Sequence, residues 1–163
     1  MSFETTQIET NDKVKFYELL AKQVDGLFFG EKDLIANAAN LTSLMFHSLP
    51  DVNWVGFYLL KNDELVLGPF HGQVACTRIP LGQGVCGTAF SQNKTLRIAD
   101  VHAFKGHIAC DTASQSELVI PINVNNKTIA VLDIDAPIIN RFDAEDQVGC
   151  EQIAHVFEKS INL

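Results

Sequence analysis

The stretch NWVGFYLLKNDELVLGPF, from Asn53 to Phe70, decides the fold. Two apolar runs, Asn53–Leu60 and Glu64–Phe70, flank the polar turn Lys61-Asn62-Asp63, and that pattern predicts an antiparallel hairpin. Period two puts Trp54, Gly56 and Tyr58 on one face and Val55, Phe57 and Leu59 on the other.

Towards the C-terminus, strands are expected at Ala75–Ile79, Thr95–Ile98 and Glu117–Val124. Asn125 and Asn126 then turn the chain into Thr128–Asp135, a second hairpin. Between the hairpins, GQGVCGTAF (Gly82–Phe90) reads as a glycine-rich turn opening a short helix, and Asp100–Gln115 as a loop. Towards the N-terminus, Val14, Tyr17, Leu20, Val24 and Leu27 recur at helical spacing across Lys13–Leu27. Leu34, Ala38, Leu41, Met45 and Leu49 form a second helical stripe across Asp33–Leu49, which Pro50 ends. A last helix starts at Asp143, an N-cap followed by the acidic Glu145 and Asp146. Its apolar stripe includes Cys150, Ile153 and Phe157, which makes Cys150 core filling. The fold class is therefore α+β: an antiparallel β-sheet flanked by N- and C-terminal helices. The expected division is a flexible segment over 1–12 and a single domain over 13–163, since 163 residues suffice for one core.

Hydrophobic residues make up 47% and charged residues 20%, a globular rather than a disordered balance. The formal net charge of -8, without any Lys/Arg cluster, argues against nucleic acid as a partner. No apolar run is long enough to span a bilayer, and MSFETTQIETND has neither the basic nor the apolar region of a secretory signal. A cytoplasmic location without membrane attachment is the expectation.

In a reducing compartment, cysteines outside the core tend to be catalytic, redox-sensing or metal-binding. Cys76 sits near Arg78, Cys86 follows Gly82 and Gly84 at a helix start, and Cys110 lies in the polar loop HIACDTASQSE. The helix N-terminus would make Cys86 the thiol of lowest pKa. Zinc held by these cysteines with His71, His102 or His107 is disfavoured, because no C-x-x-C pair is present. In TIAVLDID, Asp133 and Asp135 share one sheet face, either at the strand's solvent end or in a small pocket for an ammonium group. Glu117, seven residues beyond Cys110, could add a third carboxylate. Gly56 would leave room between the rings of Trp54 and Tyr58 for the floor of a ligand site. Aromatic walls, carboxylates and loop thiols together describe a pocket for a small cationic sulfur compound.

The segments NWVGFYLL, LVLGPFHGQVACTRIPLGQGVCGTAF, DVHAFKGHIACD, SELVIPI and AVLDIDAP resemble the free methionine-(R)-sulfoxide reductases, which are stand-alone GAF domains. The resemblance runs from about Phe16 into the C-terminal helix, with Ala130 where glycine is commoner and Cys150 as an extra thiol. It implies a GAF-type sheet and reduction of free L-methionine-(R)-S-oxide to methionine through a sulfenic acid and a redox-active disulfide. It implies Cys110 as nucleophile, Cys76 as resolving thiol and Cys86 as a third participant, against the order that the helix N-terminus suggests. Trp54, Tyr58, Glu117, Asp133 and Asp135 would bind substrate. Thioredoxin or a similar dithiol would restore the thiols, with no metal and no bound organic cofactor, and a homodimer is compatible with this reading. The competing expectation is a GAF module that senses a small ligand without turnover.

Overall fold

The computed structural model describes residues 5–106, 108 and 112–161. Cys110, the expected nucleophile, and His107 lie outside the described residues. The helices are α1 (Lys13–Leu27), α2 (Leu34–Ser48), α3 (Gly84–Gln92) and α4 (Ala144–Ser160). The strands are β1 (Trp54–Lys61), β2 (Glu64–Gly72), β3 (Arg78–Pro80), β4 (Leu96–Ile98), β5 (Ser116–Val124) and β6 (Lys127–Ala136). They form one sheet in the order β3-β2-β1-β6-β5-β4, every pair antiparallel. This is the α+β architecture expected. No helix among the described residues is long and apolar enough to cross a membrane.

Both hairpins turn where the sequence places them. Asn62 and Asp63 have φ of 50° and 63°, and Asn125 and Asn126 have 51° and 62°, the left-handed pair of a tight hairpin turn. Asn and Asp tolerate that region better than other side-chain-bearing residues. Strand β3 is shorter than expected: Ala75, Cys76 and Thr77 stand outside it. The Thr77 carbonyl still accepts from the Leu67 amide at 3.0 Å, so the chain approaches β2 without extending the strand.

The sheet separates two apolar cores. Val55, Phe57, Leu59, Leu118, Ile120, Leu132 and Ile134 pack against α1, α2 and α4, together with the fully buried Cys150. The opposite face, with Trp54, Tyr58, Val119 and Val131, is covered by Val85, Cys86 and Ala89 of α3. Period two in β1, β5 and β6 produces this division, and it assigns Val131, Asp133 and Asp135 of β6 to the α3 side.

Helix α4 begins at a capping box in which Asp143 accepts from the Glu145 and Asp146 amides and Asp146 accepts from the Asp143 amide. Asp146 also accepts from the Tyr17 hydroxyl at 2.8 Å and pairs with Lys13 and Arg141, tying α4 to α1. Gly149 is where the two helices touch: a Cβ there would stand 2.0 Å from Tyr17 Cγ. Gly149→Ala should therefore cost about 2 kcal/mol, despite the better helix propensity of alanine, because the ring has nowhere to move. Urea unfolding of the two proteins checks this; equal or greater stability of the variant would contradict it.

Candidate active site

The site grows from a register. Across β5 and β6, Glu117 stands opposite Asp135 and Val119 opposite Asp133. Across β1 and β6, Trp54 stands beside Asp135 and Gly56 beside Asp133. Trp54, Asp135 and Glu117 thus form one row across three strands, on the face that α3 covers.

All three carboxylates are buried, with 6–8% of each residue exposed, so Asp133 and Asp135 do not sit at the strand's solvent end. One oxygen from each lies within 4.8 Å of the other two. Glu117 Oε1, Asp133 Oδ1 and Asp135 Oδ1 are buried with no hydrogen-bond partner among the described residues. Orphaned carboxylate oxygens are costly in an apolar interior, and a cation delivered with a ligand would offset that cost.

Burial favours the protonated form of each carboxyl. Burial pushes Asp133 up to about 6, while the Cys86 thiol and the Ile134 amide work the other way. Burial raises Glu117 well above the usual range, and the charge of Asp133 adds to it. Asp135 is raised by burial and then by both neighbouring acids, and the hydrogen bond it shares with Glu117 raises Asp135 and lowers Glu117.

Cys86 lies in the first turn of α3 and donates its thiol to Asp133 Oδ2 at 3.2 Å. The helix start does not make it an acidic thiol. Burial, then the charges of Asp133 and Glu117, push it well above its ordinary value, and these outweigh the helix dipole. Cys76 is disulfide-bonded, whereas Cys86 and Cys150 carry free thiols. Cys150 is remote from the carboxylates, and burial pushes it up to about 12.

Gly56 does not leave an open floor. A Cβ at Gly56 would stand 2.2 Å from the Trp54 ring and 2.6 Å from Phe70 Cβ, so the indole lies flat over the glycine and fills that space. The indole stacks between Phe70, at 5.4 Å and 13°, and Tyr58, at 5.9 Å and 24°. Trp54 Nε1 donates to the Gln73 carbonyl and the Tyr58 hydroxyl to the Cys76 carbonyl, both at 3.0 Å. The aromatic stack thus fixes the segment that carries Cys76 against the sheet.

A family model described as GAF domain matches residues 40–161. The chain is 51% identical to the free methionine-R-sulfoxide reductase of Escherichia coli, covering 91% of this chain and 90% of that one. The chain belongs to the free methionine-R-sulfoxide reductase family. The Saccharomyces cerevisiae free methionine-R-sulfoxide reductase is 41% identical, with 91% of this chain and 87% of that one covered. Among solved structures, the free methionine-R-sulfoxide reductase from Neisseria meningitidis in complex with its substrate superposes with a TM-score of 0.91. It is 38% identical, and 96% of this chain and 94% of that one are covered.

Within this family fold, the structure brings together Trp54, Tyr58, Cys86, Glu117, Asp133 and Asp135. Sequence reasoning missed three contributors. Phe70 completes the aromatic stack, and its place opposite Gly56 in the β1–β2 register is a signal a strand alignment could have found. Ser114 accepts from Asn53 Nδ2 at 3.1 Å and hydrogen-bonds Asp135. Ile108 packs on Gly84, whose φ of +61° brings the chain close beneath it. Neither loop residue carries a sequence signal of its own.

The raised carboxyls make a stability prediction. Between the ordinary aspartate value near 4 and about 6, folded Asp133 holds more proton than the unfolded chain does, so stability falls as pH rises through that window. Above it, the full cost of a buried carboxylate is present. Asp133→Asn should raise the thermal midpoint at neutral pH and flatten this slope. Thermal unfolding by circular dichroism at pH 4 to 8 compares the two; an unchanged slope would contradict the assignment.

Proposed function

We propose that this chain reduces free L-methionine-(R)-S-oxide to methionine. The observation that carries the reading is the trio of buried carboxylates with orphaned oxygens beside Trp54, in a chain half-identical to an enzyme of that name. Glu117 and Asp133 receive the substrate ammonium, among the β5 and β6 residues that Trp54 flanks on β1. Asp135, whose protonated form is favoured by burial and by its two acidic neighbours, protonates the sulfoxide oxygen.

Cys110 attacks the sulfur as thiolate, methionine leaves, and Cys110 becomes a sulfenic acid. Cys76 then condenses with it, forming a disulfide and releasing water. A disulfide at Cys76 is the oxidised product this cycle expects, which supports its role as resolving thiol. The burial of Cys86 and its bond to Asp133 support assigning the nucleophile elsewhere. A dithiol such as thioredoxin, in a reducing cytoplasm, reopens the disulfide by exchange.

The test is steady-state turnover with thioredoxin, thioredoxin reductase and NADPH, comparing the R and S epimers of free methionine sulfoxide. NADPH oxidation with methionine release from the R epimer is expected. Binding of the sulfoxide without NADPH oxidation would overturn the proposal in favour of a ligand-sensing GAF module.

A further inference from the structure

We infer that the reduced protein binds one zinc ion between Glu117, Asp133, Asp135 and Cys86, and that this ion excludes the substrate. The exclusion rests on the ammonium-site reading above; the zinc site itself does not. Three oxygens within 4.8 Å of one another come from two paired strands, and the Cys86 sulfur stands 3.2 Å from Asp133 Oδ2. Ligands at about 2.0–2.3 Å from a tetrahedral zinc lie roughly 3.3–3.8 Å apart. The sulfur and Asp133 already have about that spacing, and small rotations of the other two carboxyls supply the rest.

A second observation points to a ligand. One oxygen on each carboxyl is buried and unpartnered among the described residues, so three acceptors at this site lack a cation. The donor set then selects among metals. Three carboxylates with one thiolate suit zinc, whereas magnesium and calcium prefer oxygen ligands in six-fold or higher coordination. This set differs from the cysteine–histidine zinc site that the sequence spacing disfavours. It draws no ligand from a histidine and only one from a cysteine. Binding converts the Cys86 thiol to a metal thiolate with release of its proton, and no electron is transferred.

Cys76 and Cys110, once reduced, could bind zinc by themselves, so the experiment uses the full chain carrying Cys76→Ser and Cys110→Ser. Zinc occupancy is measured by equilibrium dialysis against a chromophoric chelator, with cobalt(II) as a spectroscopic substitute. The expected result is one zinc per chain, with no magnesium bound. Asp133→Asn added to this background should weaken zinc at least about tenfold. Adding Cys86→Ser should remove the thiolate-to-cobalt charge-transfer absorption. Thermal unfolding confirms that each variant is folded. Absence of zinc from the parent variant, or affinity indifferent to both Asp133→Asn and Glu117→Gln, would overturn the inference. Because this background lacks the proposed catalytic pair, zinc occupancy is read independently of turnover. Competition between zinc and free methionine, also measured by dialysis, tests the exclusion separately: unchanged zinc affinity in saturating methionine would overturn it.

Discussion

N-acetyl-L-methionine-(R)-sulfoxide should be reduced with a kcat/KM at least about a hundredfold below that of the free amino acid. Acetylation replaces an ammonium by a neutral amide with one N–H. The oxygens that would meet the ammonium, on Glu117 and Asp133, are buried and have no other partner among the described residues. Leaving a buried charge uncompensated costs about 3–5 kcal/mol, and each 1.4 kcal/mol is about a factor of ten. The same reasoning predicts a collapse of the ratio in Asp133→Asn, which has less negative charge to compensate. Parallel kinetics with the two substrates on both proteins check this. A ratio near one for the unsubstituted chain would show that the carboxylates do not read the amine.

The cysteine variants should separate just as sharply. Cys110→Ser is expected to lose at least about a thousandfold in single-turnover rate, since a serine hydroxyl without an adjacent base is a poor nucleophile. Cys76→Ser should release methionine once and then stall, because its sulfenic acid lacks the resolving thiol. Cys86→Ser should keep its first turnover within about tenfold, because the hydroxyl can still donate to Asp133. The physical ground is the environment of Cys86: a fully buried thiol facing three carboxyls is held protonated, and the thiolate is the form that attacks. Rapid-quench measurements on reduced proteins distinguish the three. A dead Cys86→Ser beside an active Cys110→Ser would exchange their roles.

The hairpins were legible because Asn62-Asp63 and Asn125-Asn126 supply local turn chemistry that needs no tertiary context. The shared face of Asp133 and Asp135 followed from period two alone. Their burial did not, since it depends on α3 covering that face from more than 40 residues away in the chain. The raised pKa of Cys86 is illegible in the sequence for the same reason. A helix start is visible in GQGVCGTAF, whereas the carboxylate facing it belongs to β6. At Gly56 a missing side chain signals close approach without saying what approaches, and here it is the ring of Trp54 two residues earlier. Ala75–Thr77 has the composition of a strand, yet only Arg78–Pro80 joins the sheet.

The most direct test of the central claim is a single-turnover experiment in which the fully reduced chain meets free L-methionine-(R)-sulfoxide with no added reductant. Methionine is quantified after rapid quench, and remaining thiols are titrated in denaturant. One methionine released and two thiols lost per chain are expected. No methionine, or methionine formed without loss of thiols, would contradict it.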